Sequence, residues 1–230
     1  MNKANRQTLA EMARRMKADD DFLILTHRRP DGDTVGSAVA LCIALRRLGK
    51  RAYVCANPEA PERLQRYLAP YEAQGETRDQ TVVTVDIPSY TQMEPLSRRY
   101  SGEIDYIIDH HVANQMTARK GKVDDPSAAA TGEIVYELIC QLGVPLDAEL
   151  AAHLYISIST DTGCFLYSNT TAATHELAAA CIRAGIDQEQ ILLFLKRRLR
   201  LMIMQKSLRK ICQRLSQISM VQERQIFLLQ

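Results

Sequence analysis

The sequence contains no CxxC pair, no apolar run approaching the ~18 residues of a membrane-spanning helix, and no apolar stretch near its start of the kind a secretory signal needs. Internal repeats, low-complexity tracts and disordered linkers are also missing. Each absence closes a class. A membrane span and a secreted disulfide scaffold are excluded as readings, and the expectation is a soluble protein of the cytoplasm that does not touch membrane. The six cysteines, Cys42, Cys55, Cys140, Cys164, Cys181 and Cys212, lie in segments that otherwise read as core, so buried free thiols are expected instead of disulfides or zinc ligands. Charge is nearly balanced: 29 Lys and Arg against 27 Asp and Glu leave +2, too little by itself to imply a nucleic-acid or membrane surface.

What is present is the composition of an ordinary globular chain. With 46% hydrophobic residues in 230, one sizeable domain or two modest ones can bury a core. Residues 5–18 carry Leu9, Met12, Ala13 and Met16 at helical spacing, and "FLILT" (22–26) reads as a short buried strand. A helix over 34–49 with a Gly stop and a strand over 51–57 complete a β-α-β unit. "TVVTVDI" (81–87) and "IDYIIDHH" (104–111) are two further β-branched runs. Strands alternating with helices predict an α/β fold with a mostly parallel open sheet flanked by helices.

From 127 onward the pattern predicts helices: one ending at Gly143, one from Asp147 to Ser159, and one ending at Gly185. "LYISIS" within the second also alternates as a strand would. A long amphipathic linker helix is expected over 195–217, with eight basic residues between Lys196 and Arg214, followed by a strand-like "QIFLLQ". Its basic side reads as a solvated face. Its apolar stripe, from Leu195 through Leu199, Met202 and Leu208 to Leu215, needs a partner and makes a homodimer an expectation.

In an open α/β sheet the ligand site lies beyond the carboxyl ends of the strands, so the polar residues that close the apolar runs matter most. These are His27, Asp31 and Asp33 after the first strand, Asp86 after the third, and Asp109, His110 and His111 after the fourth, with Asp161 in "STDTGCF". So many carboxylates gathered without cations would repel one another and their pKa values would rise. Divalent metal relieves this, and oxygen-rich ligation with a little imidazole suits Mn²⁺ or Mg²⁺ better than structural zinc. The donors exceed one coordination sphere, which points to two ions. Two ions about 3.5–4 Å apart are suited to in-line phosphoryl displacement. Alone, "PDGD" is equally a turn in which Asp33 or Thr34 caps a helix, and "DHH" is only three residues. His153 and His175 fall outside these clusters and read as structural.

"HRRPDGDTVGS", "VVTVDIP", "DYIIDHH" and "SISTDTGCF", in that order, resemble the four motifs of the DHH phosphoesterase family. The similarity is greatest to its bacterial nanoRNase/pAp phosphatase branch and more distant to RecJ exonucleases and family II pyrophosphatases. It runs over roughly residues 8–195 and includes the spacing from Pro126 to Leu138 and "LYSNTT" at 166–171. The resemblance implies that His27, Asp31 and Asp161 hold one Mn²⁺, Asp33 and His110 the other, and that Asp86 bridges both. It makes His111 face the scissile phosphate and Asp109 orient an imidazole. Asp86, Asp109 and His111 are thus the expected catalytic residues. The substrate is expected to be a short oligonucleotide, a dinucleotide or 3′-phosphoadenosine 5′-phosphate, cleaved by metal-activated water.

The chain departs from the family pattern at three places. Arg28-Arg29 follow the first His where a small polar residue is common, and they become candidate substrate contacts beside His111. Leu166 stands where an Arg is common, and the Gly-Gly-Gly-His motif of a second, substrate-gripping domain does not occur. The expected organisation is a phosphoesterase domain over 1–190, with 191–230 as linker helix and truncated start of that second domain. Two other activities stay open: pyrophosphatase-like or phosphomonoesterase hydrolysis, and a catalytically poor nucleotide- or metal-binding remnant.

Overall fold

A computed structural model describes residues 3–73 and 80–191. The basic helix, the terminal strand, the dimer face and the second-domain start, all expected within 192–230, lie outside the described residues. Met1–Gln188 form one compact unit.

Five strands, β1 (Phe22–Leu25), β2 (Ala52–Val54), β3 (Thr81–Val85), β4 (Ile104–Asp109) and β5 (Gly121–Asp124), form one sheet in the order β2-β1-β3-β4-β5. Every pairing is parallel. β1, β3 and β4 are buried along their whole length, as continuous apolar strands covered on both faces must be. The chain leaves β1 toward β2 on one side and returns to β3 on the other. That reversal opens a crevice beyond the carboxyl ends of β1 and β3.

Helices α1 (Lys3–Ala18), α2 (Gly32–Arg47) and α4 (Thr131–Leu142) pack against strands of the sheet, and α5 (Ala148–Asp161) packs over α2 and α4, with α6 (Ala172–Arg183) against α5. A seven-residue helix, α3 (Glu62–Leu68), follows β2. α2 is buried from Gly32 to Leu45, so apart from Asp33, Thr34 and Ser37 its buried stretch is apolar on every side and shows little helical periodicity. It sits close against α5 because Gly36 has no side chain: a Cβ there would lie 2.4 Å from the His153 carbonyl oxygen. The opposite face of the sheet is covered by Leu23, Leu25, Val82, Ile104 and Ile107 packing with Ile87, Met93, Tyr100 and Met116. Burying one such side chain contributes about 1.5–3 kcal/mol.

Most sequence expectations meet their elements within a few residues, and the exceptions have local causes. "LYISIS" lies in the helix expected there, and its strand-like alternation has a cause too: Leu154, Tyr155, Ile156 and Ile158 are all buried within α5, so its apolar residues do not fall on one side. β5 was not expected, because "GKVD" buries only Val123 and lies at a sheet edge. Among the described cysteines all are free thiols, but only Cys42 and Cys181 are buried, and Cys140 is exposed, contrary to the expectation of burial. His153 is buried, with its ring perpendicular to those of Tyr67 and Tyr71, and His175 stacks on Phe165.

Candidate metal centre

Each polar residue that closes an apolar run is delivered to the crevice by a different element end. His27 follows β1. Asp31 caps α2, its Oδ1 accepting from the backbone N–H groups of Asp33 (3.0 Å) and Thr34 (3.3 Å). Asp33, two residues on, lies in the first helical turn and is wholly buried. Asp86 follows β3 with φ +59, a left-handed conformation that Asp tolerates better than most residues and that costs about 1 kcal/mol. The turn ends the strand and aims the carboxylate into the crevice. Asp109 closes β4, followed by His110 and His111, and Asp161 is the last residue of α5.

Around Asp86 these side chains form two clusters, one with His27 and Asp31 and one with His110, which also meets Asp33 and Asp161. His111 joins Asp86 and His110 in a third group, its Nδ1 3.6 Å from Asp86 Oδ1. His27 Nε2 lies 3.7 Å from Asp31 Oδ1 and 3.6 Å from Asp86 Oδ2. His110 Nε2 lies 3.5 Å from Asp86 Oδ1, 3.7 Å from Asp33 Oδ2 and 3.2 Å from Asp161 Oδ2. Two donors that share an ion at about 2.1–2.2 Å stand about 3–3.6 Å apart, so both clusters are close to coordination spacing. The donor chemistry, carboxylate oxygens with one imidazole in each cluster, fits Mn²⁺ or Mg²⁺. The grouping differs from the expectation at one residue, placing Asp161 with His110 and Asp33 instead of with His27 and Asp31. The reason is helical: Ser157, one turn before Asp161 on the same face of α5, donates to Asp33 Oδ1 at 2.5 Å.

The electrostatics are those of acids gathered without a counter-cation. Burial and the charges of Asp33, Asp31 and Asp161 push Asp86 well above the usual carboxylate range. Burial and Asp161 push Asp33 up to about 7. His110 rises to about 9: burial opposes its charge, but the hydrogen bond to Asp161 and the charge of Asp33 outweigh it. His27 is raised against burial by Asp31. Among the described residues, no Lys or Arg pairs with Asp31, Asp33, Asp86 or Asp161. A divalent ion is the charge this cluster would accommodate.

The far side of each metal-facing imidazole is held by backbone. His27 Nδ1 contacts the Arg28 carbonyl at 2.7 Å and His110 Nδ1 the Ala128 carbonyl at 3.2 Å, which turns both Nε2 atoms toward the carboxylates. Asp109 serves the neighbouring ring: its Oδ1 meets His111 Nδ1 at 2.8 Å, and Asn114 donates to its Oδ2 at 2.7 Å. Burial would raise Asp109, but these hydrogen bonds hold it below the usual range. His111 is partly exposed at the rim. Arg28 faces Glu59, with Nε 3.9 Å from Oε2, and the exposed Arg29 gives its backbone N–H to the same carboxylate. Neither guanidinium joins the clusters.

Sequence reading missed the residues that hold the ligands. Asp33 accepts from the Ser37 and Ser157 hydroxyls and from the Thr131 and Gly132 N–H groups. Asn169 donates to the carbonyls of Ala129 and Asp161, tying the entry of α4 to the end of α5. One signal was available: serines inside the apolar, helical "YISIST" need partners, and those partners lie far away in sequence.

The signature of the DHH family, N-terminal domain, matches residues 21–158. The chain belongs to the DHH family. It is 36% identical over 171 residues to the bifunctional oligoribonuclease and PAP phosphatase NrnA of Thermus thermophilus, covering 73% of this chain and 51% of that protein. It is 30% identical over 181 residues to a probable manganese-dependent inorganic pyrophosphatase of Streptococcus mutans, covering 74% and 57%. An exopolyphosphatase-related protein from Bacteroides fragilis shares the fold of this DHH chain with a TM-score of 0.72 at 24% identity, over 85% of this chain and 64% of that one. The chain spans about half the length of the curated relatives it matches.

Proposed function

We propose that this DHH domain is a divalent-metal-dependent phosphoesterase that hydrolyses short oligonucleotides, dinucleotides or 3′-phosphoadenosine 5′-phosphate. The observation that carries the reading is the sharing of Asp86 between two donor clusters, one through each carboxylate oxygen. His27, Asp31 and Asp86 would hold one ion, and Asp33, Asp86, His110 and Asp161 the other. Bound there, two ions such as Mn²⁺ would supply positive charge to the phosphoryl oxygens and a water acidic enough to attack near neutral pH.

The chain's own groups do the rest. Asp109 engages Nδ1 of His111 and leaves Nε2 at the rim, where it holds a phosphoryl oxygen or passes a proton to the leaving oxygen. Arg28 and Arg29 stand beside His27 and would meet the phosphates of a nucleotide. The name of the Thermus thermophilus relative supports a nucleotide substrate, and that of the Streptococcus mutans relative supports manganese. Free thiols suit a reducing cytoplasm.

The test is hydrolysis with Mn²⁺ of three substrates: a dinucleotide, 3′-phosphoadenosine 5′-phosphate and inorganic pyrophosphate. Turnover of either nucleotide, lost in Asp86→Ala, is the expected result. Activity on pyrophosphate alone moves the assignment to a pyrophosphatase. Unchanged turnover in Asp86→Ala overturns the role of the shared carboxylate.

A further inference from the structure

The two metal-facing carboxylates of the central cluster are supported very unequally. Asp33 accepts four hydrogen bonds, from two serines and two backbone N–H groups. Asp86, with its left-handed backbone at the end of β3, receives one from outside the imidazoles among the described residues: the Thr131 hydroxyl, 3.0 Å from Oδ1. The same residue gives its backbone N–H to Asp33 Oδ2 at 2.8 Å. Thr131 therefore touches both ligands that flank His110, and it is fully buried.

Its own helix makes no use of that hydroxyl. Thr131 is the first residue of α4, whose cap residue Ala130 offers no side-chain hydrogen bond, and the first two N–H groups of the helix go to the Asp33 carboxylate instead. A threonine at this position would ordinarily turn its oxygen to water or to a nearby backbone N–H. Here it crosses to a residue 45 positions earlier in the chain. The approach is enforced from behind, because Gly132 lies so close to α5 that a Cβ would fall 2.7 Å from the Ser157 Cβ. The N-terminus of α4 is thus seated against the centre by its packing.

We infer that Thr131 is a positioning residue: its hydroxyl fixes the rotation of the Asp86 carboxylate, so that Oδ1 faces the His110 cluster while Oδ2 faces His27. An ionised Asp86 beside a bound ion can only accept, so there the single hydroxyl proton would be committed to Oδ1 and occupy one of its lone pairs. The other lone pair would be left for an ion held by His110. Without the hydroxyl, Asp86 is free to rotate about its terminal torsion, which is broad and weakly restrained in Asp. The inference rests on the metal-centre reading above.

Thr131→Val removes the hydroxyl, keeps the shape and keeps the backbone N–H to Asp33. Thr131→Ala does the same with less bulk, and Thr131→Ser restores the donor. Titration calorimetry of the 230-residue chain with Mn²⁺ should show affinity about 10-fold weaker for Val and Ala and within about 2-fold of wild type for Ser. The melting temperature of the metal-free Ser and Ala proteins controls for packing, since a role in packing alone would not be rescued by a hydroxyl. Val and Ala proteins that bind Mn²⁺ as wild type does, or a Ser protein as weak as Ala, would overturn the role of Thr131. A wild-type chain that binds no Mn²⁺ would instead overturn the metal-centre reading itself.

Discussion

Gly36→Ala tests the claim that the spacing of two helices sets the centre. The added Cβ would stand 2.4 Å from the His153 carbonyl oxygen, 2.9 Å from the Ser157 nitrogen and 3.0 Å from the Ser157 Cβ. The first contact is about 1 Å inside van der Waals distance, and the obstacle is α5 backbone, which has no rotamer to change. α2 and α5 must separate by about that distance, and overpacking of this kind costs about 1–3 kcal/mol. For a chain of this size the melting temperature should fall by about 3–10 °C. Function should fall with it, since α5 carries Ser157 and Asp161 while α2 carries Asp31 and Asp33. A shift of about 1 Å between catalytic groups can reduce turnover about 100-fold. Gly102→Ala, where an added Cβ meets nothing within 4 Å, is the matched control. Differential scanning calorimetry and Mn²⁺-dependent turnover read both effects. If Gly36→Ala melts within about 1 °C of the control, close approach is not what this glycine supplies.

Asp109→Asn should lower turnover by about 10–100-fold, because the His111 ring loses its charged partner, while Mn²⁺ affinity stays within about 2-fold; equal turnover would refute the pairing. Mn²⁺ at 100 times its dissociation constant should stabilise the chain by about 2.7 kcal/mol, raising the melting temperature by about 5–10 °C, with chelator reversing the gain; an unmoved melt would count against a native metal site. His153 is buried with no hydrogen bond to Nδ1, and burial lowers its pKa from 6.5 to about 4. The unfolded chain therefore binds the proton first as pH falls below 6.5, so this contribution to stability is present above that pH and lost toward pH 4. Between pH 7.5 and pH 5 the loss amounts to about 2 kcal/mol, and His153→Phe should remove that part of the pH dependence of the melting curve.

Much of the sheet is legible in the sequence because β1, β3 and β4 are continuous apolar runs, and their last residues announce the site. Periodicity fails where a residue's surroundings are uniform. α2 and α5 are buried on nearly every side, so "LYISIS" carries no helical stripe, and β5 buries only Val123 and leaves its other three residues half-buried. The site shows the same division. His27, Asp86 and His110 follow strands and can be found by position, whereas the side of the centre that Asp161 joins depends on which face of α5 meets α2. Thr131, Ser157 and Asn169 are invisible for a related reason: small polar residues signal nothing until the distant carboxylate or carbonyl they serve is in place.

The donors of the centre arrive from the ends of β1, β3 and β4, which the sheet joins, and from the end of α5 and the start of α2, which its ladder does not include. An ion there would act as a reversible cross-brace, tying segments from residue 27 to residue 161 into one opening event. In the metal-free chain the end of α5 and the turn after β3 are linked through side-chain hydrogen bonds, from Ser157 and Thr131 to Asp33 and from Thr131 to Asp86. With the brace in place they would exchange their amide protons together. Occupancy of the centre would thus be readable at amides that touch no ligand, and the cooperativity of exchange would count the segments that the ions hold.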